Sequence, residues 1–366
     1  MYLYLIGYLA VLGYFIKNNL IFHKRVLVSG KDRTKAAVFL GILFVSIPLI
    51  YAFSMRDLSV GSDTNGVYYD IYYNGYVVNS WQETLYESLF IYFGRFVHKI
   101  YPTFRFFLGV SCAIICATFF SFFIKRKKEI NVVVAFCLFF VLIYLPSYNI
   151  LRQMLAVAVS FIGYLYLEKG RPAAACFVFL LASFLHVTAV VMFIYLITYK
   201  FSDNERAKRR LPYIFFCAPI IVVFSLQWLV KLPIFIKFQN QIDALFDWNT
   251  VNIKFFAIPL LILPLILLNW KKLILKNKYN YMHLCGYIFV FSTILMSGYL
   301  WYAFRMMYYF LPSYIILAAQ LGNCCKKRII KWFVNLYLMI CSLFLFYFLY
   351  VYFEVDGLYP YISMRR

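Results

Sequence analysis

The chain reads as an all-α, polytopic integral membrane protein with about twelve transmembrane helices, one pair of them a short broken hairpin. Three observations lead there. Of 366 residues, 64% are hydrophobic and 14% charged, with a mean hydropathy of +0.78, well outside the range of soluble domains. Apolar runs long enough to span a bilayer recur along the whole length. The basic residues gather between those runs: 25 of the 36 Lys and Arg lie in 17–35, 125–128, 169–171, 200–210, 271–278 and 326–331, beside only five of the 14 acids. The positive-inside rule places these clusters in the cytoplasm. The net charge of +22 therefore points to basic loops facing membrane lipid headgroups, and not to nucleic acid.

The spans follow from that assignment. Residues 2–16 enter with the N-terminus outside; charges follow the apolar run instead of preceding it, unlike a cleavable signal peptide. Residues 36–55 leave, so 56–103 form an outer loop. Within it, 85–100 carries Glu87, Arg95, His98 and Lys99 among apolar residues and reads as an amphipathic helix, interfacial or re-entrant. Residues 104–124 enter and end at KRKK, 130–147 leave, and 151–168 enter. From Arg171 the chain starts inside and must be inside again at Lys200. One long helix would put 200–210 outside, so 172–185 and 187–199 are read as a hairpin broken at His186. Each arm is short, about 20 Å at ~1.5 Å per residue, which is tolerated where helices line a cavity. Spans at 211–231, 254–270, 281–299, 304–322 and 332–353 complete the count and leave both termini outside. Residues 1–366 are read as a single integral domain, with no internal repeat.

Several chemistries are missing from the sequence. The nine cysteines form no metal-binding spacing, and most sit in apolar runs as small hydrophobes. There is no Walker A loop, no glycine-rich nucleotide fingerprint and no acidic pair of the metal-dependent sugar-nucleotide kind. No metal and no cofactor are expected.

The polar residues that interrupt the apolar pattern converge on the outer face. They are Arg56, Asp57 and Asp63 after the second span, Arg152 and Gln153 at the top of the fifth, His186 at the hairpin tip and Arg305 near the eleventh. Polar groups at such places are costly and are functional candidates. Arginine presents a planar fork that pairs bidentately with phosphate, so the set suits a polyanionic headgroup. Simpler roles exist for each: snorkelling for Arg152 and Arg305, backbone capping for Gln153, packing for His186, a turn for Asp63, and a mutual pair for Arg56 and Asp57. Tyr69, Tyr72, Tyr73 and Tyr76 recur at helical spacing as one aromatic stripe, either an interface belt or a platform for sugars or an isoprenoid chain.

Five short patterns recur in order. Arg56 is followed by Gly61-Ser62-Asp63 and Tyr68 or Tyr69. A glutamate precedes an apolar stretch, Glu87 or Glu83. Arg152-Gln153 with Ala156 opens a span; Phe184, His186, Thr188 and Ala189 form an FxHxTA run; and Arg305 precedes Tyr309-Phe310. In these residues the chain resembles the EpsG family of bacterial exopolysaccharide polymerases, which are Wzy-like membrane proteins. The family's Glu-Pro is here Glu87-Ser88. The resemblance implies transfer at the outer face of the bacterial cytoplasmic membrane. A glycan on undecaprenyl pyrophosphate is the donor, a second lipid-linked oligosaccharide repeat unit the acceptor, and the product a capsular polysaccharide, exopolysaccharide or O-antigen. A chain-length regulator is a further partner that such a reaction admits. Arg56, Arg152, Gln153, Arg305, Tyr69 and Tyr309 would then bind substrate, and His186 or Asp63 would serve as general base. Three other readings compete: an O-antigen ligase-like transferase, a membrane acyltransferase modifying extracellular sugars, and a flippase or transporter of lipid-linked oligosaccharide. A transporter would want polar residues at mid-membrane depth and an internal repeat.

Overall fold

The structure, a computed structural model, describes residues 1–21, 32–73, 87–204, 252–276, 279–297 and 303–363, with a few positions between 206 and 217. Among these residues every named element is helical, and strand pairing is confined to one isolated bridge between Arg56 and Ser363. The chain divides into two compact units, Met1–Val190 with Cys325–Arg366, and Val191–Cys324.

In the first unit the expected spans and the expected amphipathic helix each fall on helices: α1 (Tyr2–Lys17), α2 (Asp32–Ser54), the amphipathic α3 (Ser88–Ile100), α4 (Phe104–Lys125), α5 (Val132–Phe139), α6 (Leu151–Glu168) and α7 (Pro172–Leu185). Beyond the basic run at 326–331 lies the last helix of this unit, Arg328–Phe346. The helix α5 is apolar all round and its residues are almost entirely buried, the pattern of an interior helix. Small residues let its neighbours close in. A methyl group at Gly13 of α1 would sit 2.9 Å from Val133 Cα. Aromatic rings fill the seams: Phe120 meets Phe136 with centroids 4.6 Å apart, and Phe119 stacks on Phe161 at 5.1 Å. Between α6 and α7, Gly163 admits the Phe179 ring, which any Cβ there would strike. At the basic end Arg126 binds both Glu129 and Glu168, tying α4 to the end of α6.

Helix α3 is amphipathic as expected. It buries Phe90, Ile91, Gly94 and Val97 and exposes Tyr92, Phe96 and Ile100. Residues 74–86, with Tyr76 and Glu83, lie outside the described residues. The break at His186 also falls where expected: α7 stops at Leu185 and His186 is extended, with φ −159° and ψ 120°. Helical turns resume at Val187–Phe193.

The second unit contains α8 (Ile194–Phe201), α9 (Ala257–Lys276), α10 (Asn280–Met296) and α11 (Leu311–Leu321). The helix Arg328–Phe346 is accordingly α12. Within this unit Gly286 opens space for a buried polar trio: Tyr195 Oη lies 2.6 Å from Ser313 Oγ, which lies 3.1 Å from His283 Nδ1. Pairing satisfies hydroxyls that would otherwise be costly in an apolar interior.

Among the described residues, three helical stretches are long and apolar enough to cross a bilayer by themselves: Phe104–Lys125, Ile253–Ile274 and Arg328–Tyr352. Shorter apolar helices include Tyr2–Lys17, Val38–Ser54, Val132–Tyr148, Pro172–Leu185, Val187–Phe201 and Asn280–Met296. The expected span 211–231 lies mostly outside the described residues. Composition and helices together make this a helical membrane protein.

Candidate active site

The site begins where α5 runs out. After Phe139 the chain loosens into a π turn, Phe140–Tyr144, and a 3-10 turn, Pro146–Tyr148. Pro146 cannot donate to the preceding turn, which favours the break. Asn149 and Ile150 then cross to the start of α6, and Asn149 acts as a clamp. Its Oδ1 accepts from Ser62 Oγ and from the Asp63 backbone N–H, both at 2.8 Å, while its Nδ2 donates to Asp356 Oδ1 at 2.8 Å. The Gly61-Ser62-Asp63 turn is thereby fixed against the entrance of α6. Gly61 is required there: its φ is +89°, and a Cβ would lie 2.9 Å from the Tyr148 carbonyl oxygen. Only glycine takes that conformation freely at such close approach.

The first turn of α6 carries Arg152. A cation there opposes the positive end of the helix dipole, and the structure supplies a counter-charge. Arg152 Nη1 donates to Glu87 Oε2 at 2.8 Å. Glu87 stands just before α3, so its charge also complements the start of that helix. Its other oxygen accepts from the Val187 N–H at 3.1 Å and lies 4.0 Å from His186 Nδ1. One carboxylate thus joins three separate parts of the chain: the entrance of α3, the start of α6 and the break after α7. All three side chains are only partly exposed, 19% for Arg152 and Glu87 and 15% for His186.

The imidazole is oriented from one side. Thr188 Oγ1 lies 2.7 Å from Nδ1, and the Thr188 backbone N–H also points to Nδ1 at 3.4 Å. A backbone N–H can only donate. That contact is made by the tautomer in which Nδ1 accepts.

These motifs are placed within a match that spans most of the sequence: the EpsG family profile covers residues 37–363. The chain belongs to the EpsG family. No curated protein and no solved structure matches it.

The remaining candidates of this EpsG chain are distributed differently from the sequence expectation. Arg56 is not part of an open anion site. It is 1% exposed, with its guanidinium over Phe53 at 4.3 Å and Tyr148 at 4.6 Å. Among the described residues nothing accepts a hydrogen bond from its Nε, Nη1 or Nη2. Burial lowers its pKa, while surrounding tyrosines oppose that shift. Nor does it pair with Asp57, whose carboxylate accepts from the N–H and the hydroxyl of Ser59, at 3.0 and 2.8 Å. Those bonds hold the Asp57 pKa below the usual carboxylate range.

Asp63 is half-buried in the clamped turn, and Gln153 is buried in the first turn of α6. The tyrosine stripe is divided. The π turn at Thr64–Tyr69 offsets the helical register. Tyr69 and Tyr73 stack on the exposed side, whereas Tyr72 is buried and its Oη lies 3.1 Å from His98 Nδ1. Tyr68 is buried too, and its hydroxyl receives the Arg152 backbone N–H at 3.4 Å. Arg305 and Tyr309 belong to the second unit, Arg305 on the short helix Ala303–Met306 and Tyr309 buried in the following 3-10 turn. Among the described residues no group of three or more His, Cys, Asp and Glu is placed to hold a metal ion.

Sequence reasoning undervalued Glu87 and passed over Asn149 and Asp356. A faint signal existed for Glu87, a lone acid at the start of an amphipathic helix.

Proposed function

We propose that this EpsG-family protein is a glycosyltransferase that polymerises undecaprenyl-pyrophosphate-linked repeat units at the outer face of the bacterial cytoplasmic membrane. The observation that carries this reading is the Arg152–Glu87–His186 cluster, assembled from three motifs of the family. The acceptor hydroxyl attacks the anomeric carbon of the donor glycan, the bond from that carbon to the pyrophosphate oxygen breaks, and undecaprenyl pyrophosphate leaves with the electron pair. Charge grows on the leaving group, where fixed donors are worth most. Arg152 and His186 are side chains of the kind that such charge calls for. Glu87 sets the orientation of both.

The hydroxyl proton then needs an acceptor, and we assign it to Asp63. Its main chain is pinned by Asn149 at the entrance of α6. The exposed Tyr69–Tyr73 pair suits the sugar faces. Arg56 serves the wall beneath the site. With arginine and histidine at the leaving group, the reaction as written uses no metal.

The test is surface glycan length in a strain carrying only His186→Gln or the gene deletion. Single repeat units outside the cell are expected from the deletion, and a drop in polymer yield on the order of 10²-fold from His186→Gln at matched abundance. Absence of any repeat unit outside would assign the protein to transport instead. Polymer of normal length from the Gln variant would remove His186 from the chemistry.

A further inference from the structure

A groove lies at the opposite, basic end of the first unit. It has a volume of about 540 Å³ and runs between α1, the start of α5 and α12, walled by Val11, Tyr14, Leu336 and Met339. Tyr14, Val11 and Leu336 are exposed along it. At its mouth stand Lys17, Asn131, Trp332 and Asn335. Lys17 is the last residue of α1. Lys331 stands one residue before Trp332, in the first turn of α12, and its charge reaches Lys17. Among the described residues neither lysine makes an ion pair. Two like charges within reach of one another repel, and an anion beside both removes that cost.

We propose that this groove binds an anionic glycerophospholipid, with its phosphate between Lys17 and Lys331 and an acyl chain along the apolar wall. The observations fit that occupant in three ways. The wall is apolar, and a hydrocarbon chain needs nothing else. The mouth is cationic, which selects phosphate bearing a net charge over a zwitterionic headgroup. Trp332 is 59% exposed at the boundary between them, where an indole sits at headgroup level. The site is independent of the glycan chemistry and lies among the basic clusters assigned to the cytoplasmic side.

The experiment is lipid retention by the purified full-length chain, read by native mass spectrometry from detergent carrying equal phosphatidylglycerol and phosphatidylcholine. Wild type is expected to retain phosphatidylglycerol preferentially. Lys17→Gln with Lys331→Gln should lower that retention by roughly tenfold or more. Ala10→Trp, which fills the groove and leaves both lysines, should lower it as well. Lys125→Gln with Lys128→Gln, at another basic cluster, should leave it unchanged. Equal retention of phosphatidylcholine, normal retention in the Lys17/Lys331 variant or in Ala10→Trp, or an equal loss in the Lys125/Lys128 control would each overturn the site. The last would mean diffuse charge attraction only. A groove covered by a second copy would appear as a lipid-free dimer, also against the proposal. If the double-lysine variant fails to fold, single substitutions of each lysine, checked by size exclusion, carry the same test.

Discussion

Glu87 contributes through its charge as much as through its shape. It offsets Arg152 and holds the Val187 N–H on its second oxygen. Glu87→Gln keeps much of the shape and removes the charge. The site then becomes more cationic, so the pyrophosphate donor should bind more tightly, with KM lowered. The orientation of Arg152 and His186 weakens, so kcat should fall, by about 10- to 100-fold. Steady-state kinetics with a purified lipid-linked donor checks this, and a raised KM would contradict it. Arg152 makes the complementary case. Lysine retains the charge but not the planar fork that serves Glu87 and phosphate together. Arg152→Lys is expected to be nearly as defective as Arg152→Ala, and a lysine variant with wild-type polymer length would reduce Arg152 to an interfacial anchor. Little of this was legible in the sequence. Arg152 and His186 stand out as polar breaks in apolar runs, but their partner Glu87 lies far away in the sequence, and no local pattern links them. Arg56 shows the converse: an arginine beside a loop reads as exposed, and only the rings of Phe53 and Tyr148 reveal that it is buried.

Elements were far more legible than contacts. Basic clusters and apolar runs predict the helices closely, because each helix must satisfy its own backbone and its length is set by the bilayer. The end of α7 at Leu185 was predicted by the charge rule alone. What the sequence did not convey is how the elements are fastened. The turn at Gly61–Asp63, the entrance of α6 and the segment around Asp356 meet at the Asn149 side chain, and such a contact leaves no periodic trace. Asn149→Ala should loosen the Asp63 turn without removing any residue that touches substrate. Its expected signature is a fall in kcat with donor affinity retained, together with faster hydrogen exchange at the Asp63 amide. Asn149→Asp offers acceptors but no amide donor for Asp356, so it should recover only part of the activity. Unchanged exchange at Asp63 in the alanine variant would show that the clamp is redundant. The divided tyrosine stripe has a similar origin. A simple 3.6-residue repeat places Tyr69, Tyr72 and Tyr73 together, and the π turn before them breaks that register.

At the scale of the molecule, topology is the property most directly tied to sequence. His186 and both termini should face outside, and Lys127, Arg209 and Lys272 inside. Single cysteines in a cysteine-free background, labelled from outside by an impermeant reagent, test each position. Labelling at 205 without labelling at 186 would sink the hairpin and, with it, the placement of the candidate site on the outer face.

The segment from Glu354 to Ser363 has a consequence for how the protein comes into being. Tyr2 Oη donates to the Leu358 carbonyl at 2.9 Å, Tyr361 Oη to that of Ala52 at 2.8 Å, the Asp57 N–H to that of Ile362 at 2.9 Å and the Gly61 N–H to that of Gly357 at 3.1 Å. Asp356, the partner of Asn149, belongs to the same segment. Translation delivers these residues after every catalytic candidate has already entered the membrane. Until then the Asp63 turn lacks its backing, and Arg56 lies beside an unfilled gap. A nascent chain therefore carries the reactive groups of the first unit before it can hold them in register, and competence waits for residues 354–363.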